Sequence, residues 1–133
     1  VGEALYRLQA PPTKLLVIES PHRIPTLEGE LLEAFGERVH VTGSQTGFLE
    51  VVPRGVHKGR ALRWLADALG VESSQVLALG DGDNDAEMLG AFPLGVAVSG
   101  GSPRARAAAA FTAPAEEDPV VWAVGRFVLG ETP

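Results

Sequence analysis

The sequence of 133 residues contains no cysteine, which excludes disulfides, thiolate metal ligands and cysteine nucleophiles. Without disulfides we expect a reducing, cytoplasmic location. Long apolar runs are also missing, since those at 15–18 and 119–124 are far below the ~20 residues of a membrane-spanning helix. Basic residues are few, and the net charge of -6 argues against nucleic-acid or membrane partners. A small molecule is the better candidate.

Two scarce residue types stand at particular positions. Lysine occurs only twice, as Lys14 and Lys58, although the chain has 11 basic residues. Three of the five aspartates stand together, as Asp81, Asp83 and Asp85. Such uneven use of charged residues directs attention to residue 58 and to the acidic segment.

The first part of the chain has the pattern of a β-α-β-β unit. We predict a buried strand at 15–18, a helix at 26–35 that Gly36 ends, a strand around 39–41, a turn at 43–47 and a strand at 48–52. The segment Pro53-Arg54-Gly55 then interrupts the pattern. We therefore place a domain boundary between residues 52 and 53.

From residue 53 onward, predicted helices alternate with short apolar strands. The strands are expected at 75–79 and 95–98. The helices are expected at 58–69, from just after residue 85 to about Leu89, at 103–110 and from Pro119 onward. One apolar face of the first helix is formed by Leu62, Leu65, Ala66 and Leu69. This alternation predicts an α/β fold with a parallel, Rossmann-like sheet.

The acidic segment Asp81-Gly82-Asp83-Asn84-Asp85 follows an apolar strand directly. Ligands of open α/β sheets bind beyond the carboxyl ends of the strands, and crowded carboxylates favour a hard dication such as Mg²⁺ or Ca²⁺. The alternative is a turn that caps the next helix. Residues 81–92 also resemble the start of a calcium-binding loop, but positions six and twelve are Ala86 and Phe92, not glycine and glutamate.

Lys58 opens a predicted helix, where a cation faces the positive end of the helix dipole. A bound anion would remove this conflict, because helix N-termini and lysine both bind phosphate. The alternative is an ordinary solvated lysine at a helix end.

Together, the segments VPRGVHKGRAL (52–62) and LALGDGDNDAEML (77–89) resemble the third and fourth motifs of haloacid dehalogenase phosphatases, most closely the Cof-type subgroup. The segment LGVAV at 94–98 and EEDPV at 116–120 are similar to the closing elements of that family. The resemblance implies that residues 1–52 are part of an α/β cap domain and that residues 53–133 are the C-terminal half of a hydrolase core.

The same resemblance implies a role for each matching residue. Asp81 would bind Mg²⁺, Asp85 would support the metal site, Lys58 would hold the phosphoryl group, and Asn84 would contact phosphate or substrate. The implied activity is Mg²⁺-dependent hydrolysis of a small phosphorylated metabolite, such as a sugar phosphate. One departure from the family pattern is Ser99-Gly100-Gly101, where many relatives have Asn-Ala.

The family's first motif, a strand ending in Asp-x-Asp that supplies the nucleophile, is absent, since no aspartate precedes Asp67. We therefore expect the N-terminal half of the core to lie outside this chain and to be its partner. Without it the chain should be inactive, and the edge of strand 75–79 should favour self-association. A non-catalytic metal- or phosphate-binding module is the alternative function.

Overall fold

The computed structural model describes residues 10–131, in two groups of elements. The first contains β1 Leu15–Ile18, α1 Ile24–Phe35, β2 Val39–Gln45 and β3 Phe48–Pro53. The second contains α2 Lys58–Leu69, β4 Leu77–Gly80, α3 Ala86–Ala91, β5 Leu94–Ala97, α4 Pro103–Ala108, β6 Phe111–Thr112 and α5 Pro119–Phe127. Short 3₁₀ turns lie at Gly36–Arg38, Ser73–Gln75 and Asp83–Asp85.

The first group forms an antiparallel sheet in the order β1-β3-β2. Side chains of a strand alternate between faces, and the face with Val41, Leu49 and Val51 is buried against residues of α1. The opposite face carries the cross-strand pairs His40 with Val52 and Thr42 with Glu50. One face thus makes a core, and the other carries the polar residues His40, Thr42 and Glu50 beside apolar side chains.

The second group forms a parallel sheet in the order β4-β5-β6. Val96 and Ala97 are neighbours on β5, yet Val96 packs with Ala123 of α5 and Ala97 packs with Leu89 and Ala105 of α3 and α4. Both faces are therefore covered by helices, which confirms the predicted α/β class. Within residues 10–131, β4 pairs only with β5.

Local signals place several helix ends where the sequence predicts them. The α2 helix runs from Lys58 to Leu69 and ends at Gly70, whose φ is 66°. Ser102 and Asp118 accept hydrogen bonds from the first turns of α4 and α5. These ends depend on glycine conformation and side-chain caps, which nearby residues provide.

Other boundaries differ from the prediction because pairing extends or shortens the elements. The predicted turn at 43–47 is mostly strand, since β2 pairs with β3 as far as Gln45. The helix predicted to residue 110 ends at Ala108, and the unpredicted strand β6 follows, paired with β5. The strand predicted from Gln75 starts at Leu77, after a 3₁₀ turn.

Burial was predicted less well than the elements themselves. Strand β1 is an edge strand rather than a buried one, and Leu15, Leu16 and Ile18 are 44%, 48% and 68% exposed. On α2, Ala66 is buried, but Leu65 and Leu69 are exposed together with Trp64. Nothing in the described part of the chain covers these apolar side chains. The proposed division between residues 52 and 53 falls before the last residue of β3, Phe48–Pro53, and stays a prediction.

None of the helices within residues 10–131 combines the length and apolar character needed to cross a bilayer.

Candidate functional site

The acidic loop leaves the carboxyl end of β4 and folds around the side chain of Asp85. The Asp85 side chain is buried, and its Oδ2 atom accepts hydrogen bonds from the backbone N–H groups of Asp81 and Gly82, each at 3.0 Å. A Cβ atom on Gly80 would lie 2.5 Å from the Asp85 Cβ atom. Glycine at position 80 therefore allows Asp85 to fold back under the loop.

The other carboxylate oxygen of Asp85 binds the lysine predicted as the phosphate ligand. The Lys58 Nζ atom lies 2.5 Å from Asp85 Oδ1. Because an ammonium group has three donors and the Lys58 side chain is 51% exposed, two donors remain for a ligand. Asp85 thus connects the start of α2 to the acidic loop.

The close approach of α2 and α3 brings Lys58 to Asp85. Gly59 is buried, and a Cβ atom there would lie 2.5 Å from the backbone oxygen of Glu87 and 3.0 Å from the Met88 nitrogen. Backbone atoms cannot move aside as a flexible side chain can, so a side chain at position 59 would separate the helices. Gly59 is consequently a positioning residue for Lys58.

Burial alone would raise the pKa of Asp85, because it disfavours the charged carboxylate. Hydrogen bonds from Lys58 and from the backbone of Gly82 and Asp81, with the positive charge of Lys58, outweigh burial, so the pKa of Asp85 is lowered from its ordinary value of 3.8. Asp85 is therefore an anion at neutral pH.

The side chain of Asp81 is exposed at the mouth of the loop, and among residues 10–131 it has no hydrogen-bond donor. Its backbone is held firmly: the Asp81 N–H donates to Asp85, and the Asp81 carbonyl oxygen accepts from the Ser102 N–H at 2.7 Å. A Cβ atom on Gly101 would lie 2.9 Å from that carbonyl oxygen. The segment that departs from the family pattern thus packs against the Asp81 backbone.

This loop offers few protein ligands for Mg²⁺. The part of the chain that the structure describes contains no cluster of three or more acidic or histidine side chains able to hold a metal. Both Asp85 oxygens are engaged, whereas the side chains of Asp81 and Asp83 accept no hydrogen bond among residues 10–131 and are the available carboxylates of the loop. Since Mg²⁺ in phosphate-processing sites uses one or two carboxylates, with waters and substrate oxygens completing the shell, the loop fits this ion.

The calcium-loop alternative requires a helix before the acidic residues. Here strand β4 precedes them, and Asp83–Asp85 forms a 3₁₀ turn instead of an extended ligand loop. The backbone is therefore unlike that of a helix-loop-helix calcium site.

Two of the predicted substrate ligands, Lys58 and Asn84, line one cavity of about 220 Å³. Its other lining residues come from β2, from β3, from the segment leading into α2 and from α2 itself: His40, Thr42, Glu50, Val52, Val56, His57 and Ala61. Asp81 and Asp85 are not among its lining residues. The structure thus brings the four predicted site residues to one region, with Lys58 between the acidic loop and the cavity.

Sequence reasoning missed the positioning glycines and the cavity residues of the first sheet. The signal for Gly59 was its place directly after Lys58 in the first helical turn, where glycine has poor helix propensity. The signal for His40 and Thr42 was strand alternation, which puts both on one face. Neither signal predicts which residues of other segments these side chains lie against.

Comparison with known proteins gives a family match over residues 3–124, described as haloacid dehalogenase-like hydrolase. The HMP-PP phosphatase of Escherichia coli is 39% identical over 95 residues, which are 71% of this chain and 37% of that protein. The chloroplastic endoribonuclease YBEY of Arabidopsis thaliana is 44% identical over 77 residues, 58% of this chain but 13% of that protein.

Among solved structures, a HAD/COF-like hydrolase from Plasmodium vivax superposes with a TM-score of 0.86 over 97% of this chain and 46% of that chain, at 23% identity. At that identity the likeness shows the fold. This chain therefore spans less than half of the E. coli relative and of the superposed structure.

Proposed function

Because this chain belongs to the haloacid dehalogenase-like hydrolase family, we propose that it supplies the metal- and phosphate-binding half of a Mg²⁺-dependent phosphatase active site. The proposed substrate is a small phosphorylated metabolite, such as a sugar phosphate. The observation that carries the proposal is Asp85, one buried carboxylate that holds both Lys58 and the loop of Asp81. Such a link sets the distance between a phosphate ligand and a metal ligand.

Lys58 has the geometry of a phosphate ligand. The ionised Asp85 pairs with the ammonium group and fixes it on one side, and half of the side chain stays exposed. Lys58 would therefore donate hydrogen bonds to the non-bridging oxygens and stabilise negative charge during transfer. Asn84, in the same cavity, would orient the substrate.

Asp81 would hold the metal, with Asp85 supporting the site through the Asp81 backbone. When bound there, Mg²⁺ would polarise the phosphoryl group and screen the repulsion between an anionic substrate and an anionic nucleophile. The hydrogen bond from Ser102 N–H to the Asp81 carbonyl keeps the carboxylate at the mouth of the loop. Because the backbone is already held, only the side-chain torsions of Asp81 would have to be ordered when an ion binds.

The attacking group would come from another segment. Family resemblance assigns attack to an aspartate that forms a phosphorylated intermediate, which water then hydrolyses, and Lys58 and Asp81 take no such part in that scheme. A strand paired with the free edge of β4 would end beside Asp81, since carboxyl ends of parallel strands lie at one edge of a sheet. We propose that the Asp-x-Asp strand pairs there.

Substitution of the two ligands in the full-length protein tests this function. Lys58→Met should lower kcat/KM for aryl phosphate by about 10²-fold or more, and Asp81→Asn should abolish the dependence of activity on added Mg²⁺. Arg23→Met, which removes an exposed cation at the start of α1, is the matched control and should keep wild-type kinetics. Wild-type turnover in the Lys58 variant, or an unchanged Mg²⁺ titration in the Asp81 variant, would contradict the assignment.

A further inference from the structure

The segment 98–102 runs from the carboxyl end of β5 to the start of α4 and lies against the acidic loop. The Val98 N–H donates to the Gly80 carbonyl oxygen at 3.1 Å, which continues the pairing of the two strands beyond β5. At the other end of the segment, the Ser102 N–H donates to the Asp81 carbonyl oxygen at 2.7 Å. The segment thus connects β5 to the backbone of the proposed metal ligand.

The backbone of Asp81 is held on both sides of its Cα atom. The Asp81 N–H donates to the Asp85 carboxylate at 3.0 Å, and the Asp81 carbonyl oxygen accepts from the Ser102 N–H. Because both adjoining peptide planes are held, the direction of the Cα–Cβ bond is fixed, and with it the origin of the carboxylate. Mg²⁺ requires near-ideal octahedral geometry, with ligand distances of about 2.0–2.1 Å. A displaced Asp81 backbone would therefore weaken binding of the ion.

The segment has little rigidity of its own. Ser99 is followed by two glycines, which have more backbone freedom than any other residue. A Cβ atom on Gly100 would meet no atom within 4 Å, so packing does not restrict the chain at that position. Within the segment, the Gly101 N–H donates to the Val98 carbonyl oxygen at 2.9 Å. This one turn leaves the Ser99 and Gly100 backbone to be fixed from outside the segment.

Arg106 of α4 provides such an outside contact. Its Nη1 atom donates to the Ser99 carbonyl oxygen at 3.0 Å, so the side chain reaches back past the start of its own helix. Among residues 10–131, Arg106 forms no ion pair with a carboxylate. Hydrogen bonds from a charged donor are stronger than those between neutral groups. The guanidinium group therefore anchors the segment at the residue before its two glycines.

We propose that Arg106 is a positioning residue for the metal ligand. Through the Ser99 carbonyl it holds the segment 98–102, and through the Ser102 N–H the segment holds Asp81. The inference rests on the proposed phosphatase function and adds to it the residues that set the Mg²⁺ affinity. Loss of the anchor should change the Mg²⁺ concentration that the protein requires, and not the chemistry at saturating Mg²⁺.

Calorimetric titration of Mg²⁺ into the metal-free full-length protein tests the anchor. Arg106→Met should weaken binding by about 3- to 10-fold, less than loss of a group that contacts the ligand directly. The Mg²⁺ concentration for half-maximal hydrolysis of an aryl phosphate should rise by the same factor, with kcat at saturating Mg²⁺ within about 2-fold of wild type. Arg106→Lys, which retains a charged donor, should recover part of the loss. Arg23→Met, at the start of α1, is the control and should match wild type.

A pair of substitutions at Ser102 tests the hydrogen bond to Asp81 itself. Ser102 has φ -60° and ψ 151°, a conformation that proline adopts, so Ser102→Pro removes the N–H donor without straining the backbone. Ser102→Ala removes only the hydroxyl that accepts from the Ala105 N–H and retains the donor to Asp81. Since proline also lacks that hydroxyl, the difference between the two variants isolates the backbone bond. Mg²⁺ binding should be about 10-fold weaker in the proline variant than in the alanine variant.

A lower thermal midpoint of Arg106→Met with unchanged Mg²⁺ affinity would show a purely structural role and overturn the inference. Equal Mg²⁺ affinities in the two Ser102 variants would do the same. A wild-type protein that neither binds Mg²⁺ nor hydrolyses the aryl phosphate would instead overturn the proposed function. Amide hydrogen exchange of the metal-free protein then decides whether the anchor exists: the Ser102 N–H should exchange faster in Arg106→Met than in wild type, and equal rates would refute it.

Discussion

The two sheets of this chain use their faces differently. The parallel sheet of β4, β5 and β6 is covered on both faces, so its functional groups lie at the strand ends, in the loop of Asp81 and Asp85. The antiparallel sheet packs only one face on α1, and its other face presents His40, Thr42 and Glu50 to the cavity.

This difference separates two demands on the proposed phosphatase site. The groups around Lys58 and Asp85 are held by backbone hydrogen bonds and by glycine contacts, which tolerate little change. The opposite face of the first sheet contributes His40 and Glu50 from outside the core around Val41 and Leu49. We therefore expect the parallel half to determine the chemistry and the antiparallel half to determine the choice of substrate.

The most direct test of this division uses the chain by itself, without the segment that carries the Asp-x-Asp strand. Purified alone, these 133 residues should show no Mg²⁺-dependent hydrolysis of an aryl phosphate, because neither sheet supplies an aspartate in line with the leaving group. Activity should appear on mixing with a segment carrying the Asp-x-Asp strand. Robust hydrolysis by the chain alone would show that the nucleophile lies within it, with Asp83 the first residue to test.

The oligomeric state of the same purified chain shows which sheet edge takes part in self-association. Sedimentation should show self-association through β4, since an unpaired apolar strand edge invites pairing. Ile18→Lys on the exposed strand β1 should leave the self-association unchanged. If this variant no longer self-associates, the contact lies on the antiparallel sheet instead.

A second test compares a glycine of α2 with one of α1. Gly59→Ala should destabilise the protein by about 1–3 kcal/mol, as overpacking does, and should lower kcat/KM by displacing Lys58 from Asp85. The control Gly29→Ala has no atom within 4 Å of the added Cβ, so it should be neutral or stabilise by about 0.5–1 kcal/mol. Urea unfolding and kinetics measure both, and equal effects would deny Gly59 a positioning role.

The last predicted effect concerns the dependence of stability on pH. The lowered pKa of Asp85 stabilises the fold above the pKa of the unfolded carboxyl, near 4, and this contribution is lost as pH falls through the lower folded value. Asp85→Asn should cost about 1–3 kcal/mol at neutral pH and should lose less stability than wild type between pH 5 and 3. Asp67→Asn, at an exposed site, should follow wild type. Parallel curves for all three proteins would contradict the role of Asp85.

The sequence predicted features that depend on neighbouring residues better than features that depend on contacts between distant segments. The bounds of α2 followed from its periodicity and from Gly70, both local. Strand β6, of two residues, is too short for any periodicity and exists because it pairs with β5. The exposure of Leu65 and Leu69 was not predictable, since an apolar face indicates burial without naming the covering segment.

Apart from β6, the sequence by itself determined the order of helices and strands, several of their caps and the family resemblance, because these depend on neighbouring residues and on two short motifs. Only the tertiary structure decided that Asp85 binds Lys58, 27 residues away in the chain, and that Gly59 permits this contact. Tertiary structure also decided that His40 and Glu50 share a cavity with Lys58. Contacts between distant segments depend on how helices and sheets pack, which short-range patterns do not encode.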